Sequence, residues 1–326
     1  MPAPLHLGVA LESAGWHPAA WREPGARPTE LFTAGYWLDQ VREAEHGLLD
    51  FVTFEDSLAL QSSDRFRPDG RTDQVRGRLD AVLVAARVAP RTSNIGLIPT
   101  AIATHTEPFH LSKAIATLDY VSTGRAGVRI RVSGSPTDAA LFGRRTVEAY
   151  RLEDADRPGT PIAGLFDEAA DYVEVMRRLW DSWEDDAEVR DAASGRFVDR
   201  EKLHYIDFEG ARFSVRGPSI TPRPPQGQPI VSALAHRSVP YQLVGRSADL
   251  GFVTPFHAAD ARRILAEIRA AQDTAGRADE TVHVVGDAVV FLDDDASAAA
   301  DRKARLDERA GAPLHSDALV FTGTAT

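Results

Sequence analysis

Five short stretches of this chain gather side chains that could do chemistry. In residues 15–24 (GWHPAAWREP) His17 sits between Trp16 and Trp21. An imidazole walled by aromatic rings can orient a substrate or steady a reactive polar group; the same text also suits a packed surface loop. Phe54-Glu55-Asp56-Ser57 ends an apolar run with two carboxylates, where Asp56 can meet a ligand or cap a helix. Residues 98–110 (IPTAIATHTEPFH) carry hydroxyls, Thr104 among them, which bind ligands or form turns. Residues 128–133 (VRIRVS) alternate, so Arg129, Arg131 and Ser133 share one face of a strand. Finally, Ala235-His236-Arg237 leads into a helical stretch. A helix N-terminus beside an arginine suits phosphate, and Arg237 is equally a solvated surface charge.

Several other chemistries are excluded. Cysteine is absent, which removes disulfides, thiolate nucleophiles and Cys-ligated metals. The 10 histidines show no H-E-x-x-H or comparable spacing, so no metal site is expected. No Gly-rich dinucleotide or P-loop motif is present. The net charge of −11, from 48 acidic against 37 basic residues, repels phosphate backbones and anionic lipid. Neither nucleic acid nor membrane is therefore an expected partner. The first residues lack the basic start of a signal peptide, and no 18-residue apolar stretch occurs. A soluble, cytoplasmic protein binding a small molecule is the expectation.

These residues must be held by something, and the pattern says what. Strand-like runs at 5–11, 49–54, 94–99, 125–132, 229–234, 250–254 and 281–292 alternate with helical stretches at 37–46, 73–88, 108–121, 162–183, 239–246, 258–275 and 293–310. Such alternation implies right-handed βαβ units and a parallel sheet. With this many units, a TIM-type (β/α)8 barrel is the expected fold, although only seven strands can be counted. In a barrel the site lies at the C-terminal ends of the strands, and His17, Asp56 and Thr104 are expected to line one cavity there. Alternation sends Val128, Ile130 and Val132 to the helix side and Arg129 and Arg131 inward. Buried guanidinium groups standing alone would cost several kcal/mol, roughly. They must meet carboxylates, an anion or water, with Glu12 and Glu55 the foremost partners and Asp56 a third.

One segment does not fit the rhythm. Residues 180–229 contain WDSWEDDA, SGRF, K-x-H-x-I-D, F-x-VRGP and PQG-x-P in that order. Ordinary connections run about 4–6 residues, so this is an insertion, taken as 184–228 within one barrel domain spanning 1–326. It resembles the insertion of the flavin-dependent monooxygenases of the bacterial luciferase-like superfamily, in the branch that oxidises aminopolycarboxylates and organosulfur compounds. The resemblance extends to the 15–24 loop, to E-P-F-H at 107–110 and to L-D-x-x-S-x-G-R at 118–125, the last of these structural.

The resemblance implies a two-component monooxygenase. Reduced FMN arrives from a separate flavin reductase and, with O2, oxygenates a small organic substrate; the assembly is a homodimer or larger. It implies that His17 lies beside the flavin as the catalytic polar contact and that Asp56 and Thr104 bind the cofactor. Departures accompany it. Residues 128–133 replace a W-N-x-V-T-S strand, which puts Arg129 and Ser133 where the flavin ring is met. Ile162 and Phe166 stand where a His and a Tyr are usual, and Ala235-His236-Arg237 replaces a phosphate-holding G-S-S turn, leaving His236 and Arg237 as the candidates. The chain ends at 321–326 in a G-T-x motif that precedes a last βα unit in the family. Two other readings follow from these departures: an F420-dependent oxidoreductase of the same superfamily, whose anionic cofactor suits the arginines, and a diverged binding subunit without flavin.

Overall fold

The computed structural model describes residues 5–62, 68–148 and 159–310; the 321–326 motif lies outside them. Seven strands form one parallel sheet: β1 (Gly8–Leu11), β2 (Phe51–Phe54), β3 (Gly96–Ile102), β4 (Gly127–Arg131), β9 (Ile230–Ala235), β10 (Leu250–Val253) and β11 (His283–Gly286). They lie side by side in chain order, and every adjacent pair is parallel. The helices α1 (Ala34–His46), α2 (Ala81–Val88), α3 (Pro108–Ser122), α4 (Pro136–Phe142), α5 (Pro161–Trp180), α6 (Ser238–Ser247), α7 (Ala258–Thr274) and α8 (Ala296–Ala310) alternate with them. Between α5 and β9 the chain leaves this rhythm for two small antiparallel hairpins, β5 (Glu188–Asp191) with β6 (Arg196–Val198) and β7 (Phe208–Glu209) with β8 (Ser214–Val215).

The sheet curls. Phe51 on β2 and Phe252 on β10 are four strands apart in the sheet order, yet their ring centroids are 5.9 Å apart. Only a sheet bent toward a barrel brings those rings together. They sit in an inner apolar cluster with Ile98, Leu250, Leu234 and Val285. The larger core lies outside the sheet, under the helices. There Val128 and Ile130 of β4 are buried with Tyr172, Met176 and Trp180 of α5. The expected sorting of β4 by alternation therefore holds.

Two expected elements are shorter. The helix expected at 73–88 begins only at Ala81, where Asp80 caps it by accepting the Leu83 N–H at 2.9 Å. Its first half is a loop pinned by charge: Arg71 pairs with Asp73 at 2.6 Å, Arg76 pairs with Asp69, and Gly77 adopts φ +87°. Side-chain ion pairs and a left-handed glycine outweigh the helical spacing there. The strand expected at 281–292 pairs only over His283–Gly286. Helix α4 was not expected, although Ser135, whose Oγ accepts the Asp138 N–H, and Pro136 at its first turn are start signals.

The insertion is tied down at its base. Asp119 of α3, fully buried, accepts the backbone N–H of Gln226 at 2.9 Å and that of Ala126 at 3.2 Å. That bond joins the 118–125 motif to the PQG-x-P motif. Ser182 Oγ accepts the Ser219 N–H at 2.9 Å, and Trp183 Nε1 donates to the Ser219 carbonyl at 2.8 Å. At the sheet's two ends, β1 and β11 have no outer strand partner among the described residues. Charged side chains link them at the mouth instead: Glu23, in the loop after β1, pairs with Arg305 at 3.0 Å and Arg309 at 2.8 Å on α8, which follows β11. Among the described residues no helix is long and apolar enough to cross a membrane.

Helix α6 meets α7 so closely that a Cβ on Gly245 would lie 2.4 Å from the Ile268 carbonyl oxygen and 2.6 Å from Ala271 Cβ. Gly245→Ala is expected to destabilise the protein by about 1–3 kcal/mol, as overpacking of a tight contact does. Urea unfolding measures it; an unchanged midpoint would refute the packing described.

Candidate active site

The interior of the barrel is crossed by a buried ion pair. Arg129 of β4, 5% exposed, pairs with Glu55, the first residue after β2. Its Nε and Nη2 also donate to Thr100 Oγ1 of β3 at 3.0 and 2.7 Å. Its guanidinium carbon lies 5.8 Å from the Phe252 ring centroid, over the inner apolar cluster. Arg131 donates from Nη1 to the Asp56 carbonyl at 3.0 Å. Of the two expected partners, Glu55 is the one used. Glu12 turns instead to Arg78, at 2.7 Å.

Electrostatics in this interior follow from burial. Desolvation, then the like charge of Arg131, push Arg129 down to about 10, against the pull of Asp287 and Glu12. It stays charged at neutral pH. Asp287, just past β11, is raised by burial to about 6, with Arg129 opposing. Sequence reasoning missed Asp287 because it fell inside an expected strand.

Most of the candidate side chains are already engaged. Asp56 accepts the Ala81 N–H at 3.0 Å and the Ser57 N–H at 2.7 Å, so it ties the first turn of α2, capped by Asp80, to the end of β2. Burial raises its pKa. Thr104 and Ser133 are brought together: Thr104 Oγ1 accepts the Ser133 N–H at 2.9 Å, while Ser133 Oγ donates to Asp138 at 2.6 Å. His236 Nδ1 is 3.2 Å from Thr254 Oγ1, and Arg237 occupies the N-cap position of α6 without a side-chain capping bond. His17, 8% exposed, accepts the Ala19 N–H on Nδ1 at 3.1 Å and meets Asp307 Oδ1 with Nε2 at 3.1 Å.

Two cavities open beside these residues. One, of about 100 Å³, is walled by Trp16, His17, Trp21, Glu12, Glu55, Arg78 and Arg131, among others. Neither Asp56 nor Thr104 lines it, so His17, Asp56 and Thr104 do not share this cavity. The other, of about 660 Å³, lies between Gly134 after β4 and the N-terminus of α5, with Arg144, Arg145, Arg212, Ile162 and Leu165 in its wall. Arg145 is held by Glu168 through two bonds of 2.8 and 2.6 Å, and Arg144 pairs with Glu107. Only the larger cavity falls in the range of about 300–1,000 Å³ usual for cofactor-sized ligands.

Near that cavity's Arg145, His105 was also missed, although it stands inside the 98–110 motif. It is 5% exposed, its ring is stacked on Phe142 of α4 at 5.4 Å, and neither ring nitrogen has a hydrogen-bond partner. Burial, then Arg145, lowers its pKa. Among the described residues no group of acidic and histidine side chains could hold a metal ion.

A parallel βα barrel with cavities and buried charges at its C-terminal strand ends is an enzyme-type scaffold whose chemistry sits in its βα loops. Residues 14–318 match the luciferase-like monooxygenase family, and the chain belongs to it. Nitrilotriacetate monooxygenase component A of Aminobacter aminovorans is 31% identical over 293 residues, covering 88% of this chain and 62% of that protein. N-acetyl-S-(2-succino)cysteine monooxygenase of Bacillus subtilis is 31% identical over 281 residues, covering 86% and 59%. A crystal structure of riboflavin lyase with modified FMN and riboflavin superposes with a TM-score of 0.79 at 25% identity, covering 94% of this chain and 67% of that one. The chain thus spans about three fifths of the length of these curated relatives.

Two outcomes are expected. Glu55→Ala alone strands the Arg129 charge and should cost about 3–5 kcal/mol, whereas a Glu55→Leu/Arg129→Met double variant should lose less; equal losses in denaturant unfolding would contradict the pairing. Asp287 is held protonated in the folded protein up to about 6 but ionises near 3.8 when unfolded. Between those values the folded state binds more protons, so stability contributed by this group falls as pH rises and stays low above about 6. Asp287→Asn should flatten that slope; an unaltered pH profile of unfolding would show that Asp287 is not buried as described.

Proposed function

We propose that this protein is the oxygenating component of a flavin-dependent, two-component monooxygenase. It takes reduced FMN from a separate flavin reductase and acts with O2 on a small organic substrate. The observation that carries this reading is a cofactor-sized, arginine-walled cavity at the strand ends of a luciferase-like barrel. The residues fit the group. Arg144, Arg145 and Arg212 and the N-terminus of α5 suit a phosphate. Ile162 and Leu165 offer apolar wall.

Bound reduced FMN supplies the electrons for oxygen activation. The chain's own part is to bind, orient and exclude water. In this reading Thr104 and Ser133 shape the cavity edge through Gly134, and Arg129, fixed by Glu55 and Thr100, supplies positive potential from the interior. Asp56 sets the β2–α2 turn below the mouth, and His236 and Arg237 border the mouth at α6. His17, with Trp16 and Trp21, lines the smaller cavity, and the catalytic contact assigned to it requires the reacting end of the ligands to reach that cavity. Residues 1–326 act as one barrel domain with 184–228 inserted, in a cytoplasmic homodimer or larger assembly.

Fluorescence polarisation of oxidised FMN titrated with the full chain tests the reading, with F420 in a parallel titration. FMN should bind, and Arg144→Ala should weaken it about tenfold, the loss of one charge-assisted contact. Absence of FMN binding would overturn the proposal; preferential F420 binding would move the protein to the hydride-transferring branch. FMN binding without O2 consumption beside a flavin reductase and candidate substrates would favour the binding-subunit alternative.

A further inference from the structure

The two hydrogen bonds of His17 fix more than its position. Nδ1 accepts the backbone N–H of Ala19 at 3.1 Å, so Nδ1 carries no proton. In a neutral imidazole the proton then sits on Nε2, which donates to Asp307 Oδ1 at 3.1 Å. Both nitrogens are spent. A ligand in the β1 cavity can hydrogen-bond His17 only by taking over one of these bonds.

The two bonds differ in how easily they are exchanged. The Ala19 bond lies within a two-residue turn and accompanies a backbone bond from Ala20 N–H to the His17 carbonyl at 2.8 Å. Breaking it means refolding the loop. Asp307 reaches in from α8, 290 residues along the chain. It is half exposed and shared with Lys303, one turn back on the same helix, at 2.7 Å. The Asp307 end of the bond faces solvent and already answers to Lys303, so it can be released without moving the loop. Phe291, 6.4 Å from His17 edge-on, holds the ring without using its nitrogens.

We propose that Asp307 is a positioning residue for the β1 cavity: it holds His17 as an Nε2–H donor and yields that proton to an acceptor oxygen on the incoming ligand. The cavity's ligand is therefore a hydrogen-bond acceptor at the point where it meets His17, an oxyanion or carbonyl rather than an ammonium. Because Asp307 must let go, ligand binding and the seating of this turn of α8 compete. Neither the exchange nor the grip of Asp307 on His17 depends on FMN occupying the larger cavity.

The test uses full-length protein with 15N-labelled histidine. His17, assigned by loss of its signals in His17→Gln, should show a protonated Nε2 with a slowly exchanging proton and an unprotonated Nδ1. Asp307→Ala should abolish the slow exchange, while Asp307→Asn, which keeps an acceptor oxygen and the side-chain volume, should retain it. A Nε2 proton equally protected in Asp307→Ala overturns the proposal. With acetate, a small oxyanion, as the probe of the β1 cavity, Asp307→Ala should bind about three- to tenfold more tightly than wild type, the worth of one displaced hydrogen bond, and Asp307→Asn should lie between them. Equal or weaker acetate binding by Asp307→Ala, or no binding to either protein, also overturns the exchange.

Discussion

A single buried ion pair sets the terms for the interior of this barrel. Arg129 and Glu55 come from strands that are not neighbours, with Thr100 of the strand between them completing the guanidinium's contacts. Removing either charge leaves the other uncompensated in the barrel's interior. The Phe252 ring lies against the same guanidinium, and Arg129 pulls against the burial that raises Asp287. The centre of the mouth is thus filled by protein. Room for a cofactor-sized ligand appears to one side, against the N-terminus of α5.

Much of the architecture was written in short-range patterns. The order of strands and helices, the sorting of Val128 and Ile130 away from Arg129, and the placement of 184–228 outside the barrel rhythm all follow from period and composition, which act over a few residues. So does the need of a buried arginine for a carboxylate. Which carboxylate answers it was not legible. Glu12 and Glu55 are equally placed by pattern, and the choice turned on Arg78, hidden in a stretch whose helical spacing was overruled by the ion pairs of Arg71 and Arg76.

The site was less legible than the fold for the same reason. Residue type and position mark Asp56 and Thr104 as candidates, but the backbone claims them: one ties the start of α2 to β2, the other holds the Ser133 amide. Both outcomes obey the rule that a polar group entering the interior finds a partner, and that partner is usually chosen by tertiary contact. His105 and Asp307 show the converse. Nothing near them in sequence distinguishes a histidine that will lose both partners, or an aspartate that will meet a histidine from the far end of the chain.

The join between the two ends of the sheet differs in kind from the joins within it. Inside the sheet, neighbours are held by backbone ladders, which dissolved salt leaves almost untouched. Between the loop after β1 and α8, the links are the His17–Asp307 bond and Glu23 facing Arg302, Arg305 and Arg309. Contacts this short lie well inside the Debye length of about 8 Å at physiological ionic strength, so salt weakens them only in part. The seam is therefore the one place in the sheet's circuit where side-chain charge, rather than backbone, joins neighbouring elements among the described residues.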